Sequence, residues 1–168
     1  MGHVGFTVEP GTNPGFLYQQ NTVRDALVAG ITLNIFNKHC DRVKMANLAQ
    51  MVNVLQSVIL TEGPKMIKTP TYHVFHMYRH HQGATLLNST LTGVGETGIG
   101  EWKVPEVTES VSEDAEHIIT VTLNNLSADE EKEIEIAIAG DEHVYSVKEA
   151  RLSRQRCTHI IRLMHRNL

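Results

Sequence analysis

Aromatic residues are scarce in this sequence: they make up 5% of it, with a single tryptophan, and cysteine occurs only twice. Cys40 and Cys157 lie far apart with no Cys-x-x-Cys spacing, which suits free thiols in a reducing compartment better than a disulfide framework. Positive charge is not in excess. Fifteen Lys and Arg against nineteen Asp and Glu leave a net charge of -4, so no basic field draws nucleic acid. Apolar runs are broken by Asn, Gln, Lys and His well before the roughly 18 residues that a membrane helix requires. No basic segment leads into an apolar one at the N-terminus, so no secretory signal and a cytoplasmic location are expected. Repeats and low-complexity tracts are lacking too. The length of 168 residues suits one domain, or two small ones, with a moderate core.

What is present divides into a helical half and a strand half. The alternation of Pro, Gly, Thr and Asn over Pro10–Gly15 predicts a loop. A helix is expected over Thr22–Lys38, opened by Thr22 with Asp25 in the capping-box position, with Val23, Ala26, Leu27, Gly30, Ile31 and Ile35 on one face. Arg42–Thr61 reads two ways. Met45, Leu48, Ala49, Val52, Leu55 and Ile59 form a helical stripe, yet the same residues would serve as a barrel strand followed by a loop. Gly63 and Pro64 end that element. Thr69 and Pro70 then start a further helix, with Tyr72, Phe75 and Tyr78 on its apolar side and Gly83 at its end. Beyond residue 85 the period becomes two, and strands are expected at Val104–Val111, Ile118–Leu123, Ile134–Ala139 and Val144–Val147. Turns at Asn125–Glu130 and Gly140–Glu142 predict antiparallel hairpins.

Four runs, in one order, carry a family likeness: EPGTNPGFLYQQNT, RDAL, DRVKMANLAQMVNV and TPTYHVF. Together they resemble the end of the catalytic barrel in bacterial α-L-arabinofuranosidases of glycoside hydrolase family fifty-one. The resemblance implies an α+β chain: residues 1–84, mainly helical, as the remnant of the end of a (β/α)8 barrel, and residues 85–168 as an incomplete antiparallel, jelly-roll-like β-sandwich. The boundary falls in the Gly-, Ser- and Thr-rich stretch Thr85–Gly100. It also implies a parent activity, the retaining hydrolysis of terminal α-L-arabinofuranosyl groups in arabinan or arabinoxylan, through a covalent intermediate and without a cofactor. Such barrels run to a few hundred residues, so 168 do not make the whole enzyme.

Retaining hydrolysis needs two carboxyl groups flanking the scissile bond. In the resembling family the acid/base lies on a strand far upstream of Met1, and the nucleophile lies in an Asp-Glu-Trp motif just before the EPGTNPG loop. Glu9 does not match it, so no catalytic residue is assigned here and this chain alone is expected to be inactive. Glu130, Glu131 and Glu133 suit a solvated face. One functional residue carries over: Gln50, in NLAQMVNV, matches the glutamine that hydrogen-bonds the arabinofuranosyl ring, although outside a barrel it would be a surface amide. The competing class is a non-catalytic carbohydrate-binding or structural β-sandwich module, for which Trp102 and Tyr145 are the aromatics available in the strand half.

His73, His76 and His80 recur at helical spacing, with His81 adjacent, but no Cys or acidic ligand lies nearby in sequence and no metal site is assigned. His39 and Cys40 beside Asp41 suit the C-terminal end of a helix better than a thiol pair. After Arg151, LSRQRCTHIIRLMHRNL loses strand alternation. Through the degeneracy of the genetic code, a DNA sequence encoding it, like one encoding Met1–Gly5, can be read in another frame as family-like sequence, Glu-Trp-Gly-Thr-Trp in the latter case. The expectation is a frameshifted tail over 152–168 and family sequence from about Phe6 to Arg151. The stripes Val23, Leu27, Ile31, Ile35 and Met45, Leu48, Val52, Leu55, Ile59 predict a homo-oligomer that covers them.

Overall fold

The computed structural model describes residues 21–49, 51–54, 57–127, 130–139, 145–152 and 158–165. Helix α1 spans Val23–Lys38. Its start is the expected capping box, in which the Asp25 carboxylate accepts from the Thr22 backbone N–H at 2.7 Å and from its hydroxyl at 3.0 Å. Of the expected stripe, Ala26 and Gly30 are buried, Val23, Leu27 and Ile31 are partly buried and Ile35 is not. Asp25, Ala26, Gly30 and Asn34 point inward, whereas Val28 and Ile35 are half exposed. Small and polar side chains let the helix approach the sheet closely, so the bulky aliphatics are turned aside.

Among the described residues of Arg42–Val58 there is no helix, which corrects the helical reading of that stretch. Val52, Val54, Val58 and Ile59 are β-branched and stiff at χ1. Asn53 adopts φ 58, a conformation incompatible with continuing a helix. The chain instead reaches a hairpin, β1 (Ile59–Glu62) with β2 (Lys65–Lys68), turned at Gly63 with φ 54. Helix α2 (Pro70–Tyr78) follows, its Thr69 hydroxyl accepting from the Tyr72 N–H, and runs into a short 3-10 turn at Arg79–His81. α2 buries Thr71, Val74, Met77 and Tyr78, and Val74, Met77 and Tyr78 form a small core with Ala26 of α1.

The rest is built on antiparallel pairs: β3 (Thr85–Leu86), β4 (Glu96–Ile99), β5 (Trp102–Pro105), β6 (Val107–Glu113), β7 (Ile118–Asn125), β8 (Tyr145–Leu152) and β9 (Thr158–His165). Five of them form one sheet in the order β3-β6-β7-β9-β8, while β4 and β5 make a separate hairpin. The single strand expected at Val104–Val111 is thus two, broken at Glu106, because its halves pair with different neighbours. Strand character expected to fade after Arg151 returns at Thr158–His165, which pairs with β7 on one edge and β8 on the other. Ile160, Ile161 and Leu163 have the strand propensity for that place.

The strand expected at Ile134–Ala139 joins no ladder among the described residues. Its alternation is nonetheless real: Ile134, Ile136 and Ile138 pack on Val107, Ile119, Val121 and Leu123, with Glu133, Glu135 and Ala137 outward. Residues 130–139 therefore form the second layer over one face of the sheet, while α1 lies over the other. The turn before them is side-chain built. Asn125 Oδ1 accepts from the Ser127 N–H at 3.0 Å, and Asn125 Nδ2 donates to the Glu130 carbonyl at 2.8 Å. The turn expected at Gly140–Glu142 lies outside the described residues.

Candidate functional site

Gln50, the residue matched to sugar binding, lies outside the described residues. The chain just beyond it is firmly held. Ile59 N–H donates to the Met51 carbonyl at 3.0 Å, Asn53 N–H to the Ile59 carbonyl at 3.2 Å, and Val52 bridges Ile59 in parallel. The Asn53 amide then imitates a strand partner, donating from Nδ2 to the Thr61 hydroxyl at 2.9 Å and accepting the Thr61 N–H at 2.7 Å. Asn tolerates the left-handed backbone this requires.

Where the helices meet the sheet, the contact is polar and buried. Asn34 of α1 sits at its centre: the hydroxyls of Tyr78, Ser110 and Thr122 converge on its Oδ1 at 2.7, 2.9 and 3.0 Å, and its Nδ2 donates to Thr108 at 3.1 Å. Asn37 donates to Ser110 at 3.0 Å, and Asn124 donates to the Tyr78 oxygen at 2.8 Å. Burial pushes the Tyr78 phenol far above its ordinary value, so it keeps its proton as a donor. His81 joins the same network, Nδ1 to Ser112 at 2.7 Å and Nε2 to Thr122 at 3.1 Å. The network closes with a neutral ring, Nε2–H donating to Thr122 and Nδ1 accepting from Ser112. Burial, aided by the neighbouring His80, lowers the His81 pKa to about 4.

Two clefts flank this seam. One, of about 670 Å³, lies between α1 and the base of the β4–β5 hairpin, with Ile31, Ile35, Leu91, Val94 and Val104 among its walls. The other, of about 710 Å³, lies between the sheet and the Ile134–Ile138 layer. Glu109 borders both; the residue is 5% exposed, and its carboxylate is held by Lys38 at 2.7 Å and by the Ser89 hydroxyl at 2.9 Å. The ion pair ties the end of α1 to β6, and the Ser89 hydrogen bond ties β6 to the loop after β3.

The other histidines are dispersed. His73 is exposed against the edge of Tyr72, and His76 stacks on Tyr72 and meets Arg79 at 2.9 Å. No three His, Cys, Asp or Glu side chains converge among the described residues. Cys40 is exposed beyond the end of α1, where Lys44 donates to its carbonyl. Glu130, Glu131 and Glu133 are exposed, with Glu130 bound to Lys132 at 2.6 Å.

Residues 3–159 match the family model of the α-L-arabinofuranosidase C-terminal domain. The chain belongs to this family. An intracellular exo-α-L-arabinofuranosidase of Bacteroides ovatus is 51% identical over 128 residues, which is 76% of this chain and 25% of that protein. An intracellular exo-α-(1→5)-L-arabinofuranosidase of Halalkalibacterium halodurans is 41% identical over 44% of the chain and 15% of its own length. Among solved structures, the family 51 arabinofuranosidase of Xanthomonas axonopodis pv. citri superimposes with a TM-score of 0.76 at 34% identity, covering 93% of this chain and 38% of that one. The α-L-arabinofuranosidase C-terminal domain here thus spans a quarter or less of the curated relatives named.

Within this domain the seam residues are the ones that sequence reading passed over. Their signal was present. Thr108, Ser110 and Ser112 on β6 alternate with Val107, Glu109, Val111 and Glu113, and Thr120, Thr122 and Asn124 on β7 with Ile119, Val121, Leu123 and Asn125, yet this small polar set itself includes no Lys, Arg, Asp or Glu. A solvated face normally carries charge, so small hydroxyls and amides alone mark a face that is covered.

Proposed function

We propose that this chain supplies the C-terminal part of an arabinofuranosidase that removes terminal α-L-arabinofuranosyl groups from arabinose-containing glycans. Residues 1–84 contribute the end of the barrel, with Gln50 toward the sugar, and residues 85–168 the sandwich that braces it. The observation that carries this reading is the family match over residues 3–159, joined to a Gln50-bearing segment whose following residues are anchored on β1. Neither a nucleophile nor an acid/base is assigned within the 168 residues, so by themselves they release no arabinose. A chromogenic arabinofuranoside assay tests this. Turnover by the repurified chain that is lost in Gln50→Ala would overturn the inactive-portion reading.

A cytoplasmic location belongs to the same proposal, supported by the relatives' names, and cell fractionation tests it. Self-association belongs to it as well. Val28 and Ile35 of α1, with Met45, Met51, Met66 and Ile67, leave apolar surface that a second copy would cover. A second reading, a carbohydrate-binding module, is favoured by one observation, the exposed indole of Trp102.

A further inference from the structure

The β4–β5 hairpin exposes the largest aromatic side chain of the molecule. Trp102 is 86% and Ile99 87% exposed, and the two stand directly opposite each other. Because opposed residues share a face, Thr97 and Val104 extend the same strip, while Gly98, Lys103, Glu96 and Pro105 lie on the reverse. The presentation is built. Gly98 has φ 146, and a Cβ there would fall 1.9 Å from the Trp102 carbonyl oxygen, so only glycine lets the strands close at this point. Gly100, with φ 60, makes the turn. At the base, Glu106 N–H donates to the Gly95 carbonyl at 2.9 Å, Leu126 N–H donates to the Glu106 carbonyl at 2.7 Å, and the Glu106 carboxylate pairs with Lys132 at 2.8 Å. An indole is therefore held out on a braced arm.

The size of the strip selects its occupant. Trp102, Ile99 and half-exposed Val104 offer a few hundred Å² at most, short of the roughly 800 Å² per partner of a stable protein interface. One indole does match one sugar ring. The electron-rich face attracts the polarised C–H bonds of the ring, and a two-torsion aromatic loses little entropy on binding. Thr97 beside it and Glu101 in the turn offer groups for hydroxyls. We propose that the Trp102 face is an accessory glycan-binding site, at which an arabinose-containing chain stacks a sugar ring on the indole. The choice of arabinose rests on the proposed function above.

Trp102 is the sole tryptophan, so its fluorescence reports on this site alone. Titration with linear arabino-oligosaccharides is expected to shift the emission to the blue in a saturable way, with cello- and xylo-oligosaccharides run beside them. Retention on an arabinan affinity gel should fall by about tenfold or more in Trp102→Ala, the order expected for loss of an aromatic anchor, and by less in Trp102→Phe. Since the side chain is exposed, both variants should keep the wild-type circular dichroism. Emission indifferent to every sugar, or a shift that follows protein concentration alone, overturns the proposal while leaving the hydrolase reading, tested by the chromogenic assay, intact. A response to cello- or xylo-oligosaccharides only overturns both the proposal and the arabinose assignment.

Discussion

At Gly30 the first helix lies so close to β7 that a methyl group would meet Asn124 Oδ1 at 2.3 Å. Asn124 is fully buried and committed to Tyr78, so it has nowhere to retreat. Alanine would gain about 1 kcal/mol of helix propensity, yet overpacking costs typically 1–3 kcal/mol and breaks the network besides. Gly30→Ala is therefore expected to destabilise the domain, by a net of about 1–2 kcal/mol, seen as a lower urea midpoint with an unchanged m-value. His81 gives a pH signature. Its folded pKa, lowered to about 4, lies below the ordinary 6.5, so the fold favours the neutral ring. Its contribution is complete above about pH 6.5, declines as pH falls toward 4 and is gone below that. Unfolding at a series of pH values should show that slope, with a total on the order of 3 kcal/mol, and His81→Gln should flatten it.

Elements were legible in the sequence where a local signal and the tertiary setting agreed. The Thr22–Asp25 box and the Thr69–Pro70 start lie where they were expected, because caps act within one turn. Thr69 also donates to the Val58 carbonyl at 3.0 Å, fastening α2 to the residues before β1. Thr69→Ala should therefore cost about 1–2 kcal/mol, and hydrogen exchange should quicken in α2 first. Illegible were the choices made between elements. The β-branched Val52, Val54, Val58 and Ile59 lean toward extended chain, but the Met45–Ile59 stripe reads equally as a helix face, and the pairing of Asn53 with Thr61 shows which won. Similarly, Ile134, Ile136 and Ile138 declared a buried face but not whether a neighbour would pair with it. For the candidate site, Gln50 rests on family likeness alone and lies outside the described residues, while the polar seam was legible only as alternation whose partner lay about seventy to ninety residues away, as the 74 and 88 residues from Asn34 to Thr108 and Thr122 illustrate.

At the scale of the molecule, Met45, Met66 and Ile67 remain more than half exposed, and light scattering at micromolar concentration is expected to report a dimer or larger species. A sharp monomer peak there would show that the apolar surface is tolerated uncovered. The helix–sheet seam bears on a different property, the response to temperature. Exposing apolar groups to water raises heat capacity and exposing polar groups lowers it. Because Asn34, Ser110, Thr120, Thr122 and Asn124 are fully or almost fully hidden from water, unfolding releases amides and hydroxyls where another fold would release leucines. Calorimetry should accordingly give a heat-capacity increment below the usual ~12–15 cal/mol/K per residue. The domain's stability would then follow a shallow dome, changing little from cold to warm and yielding gradually at either end.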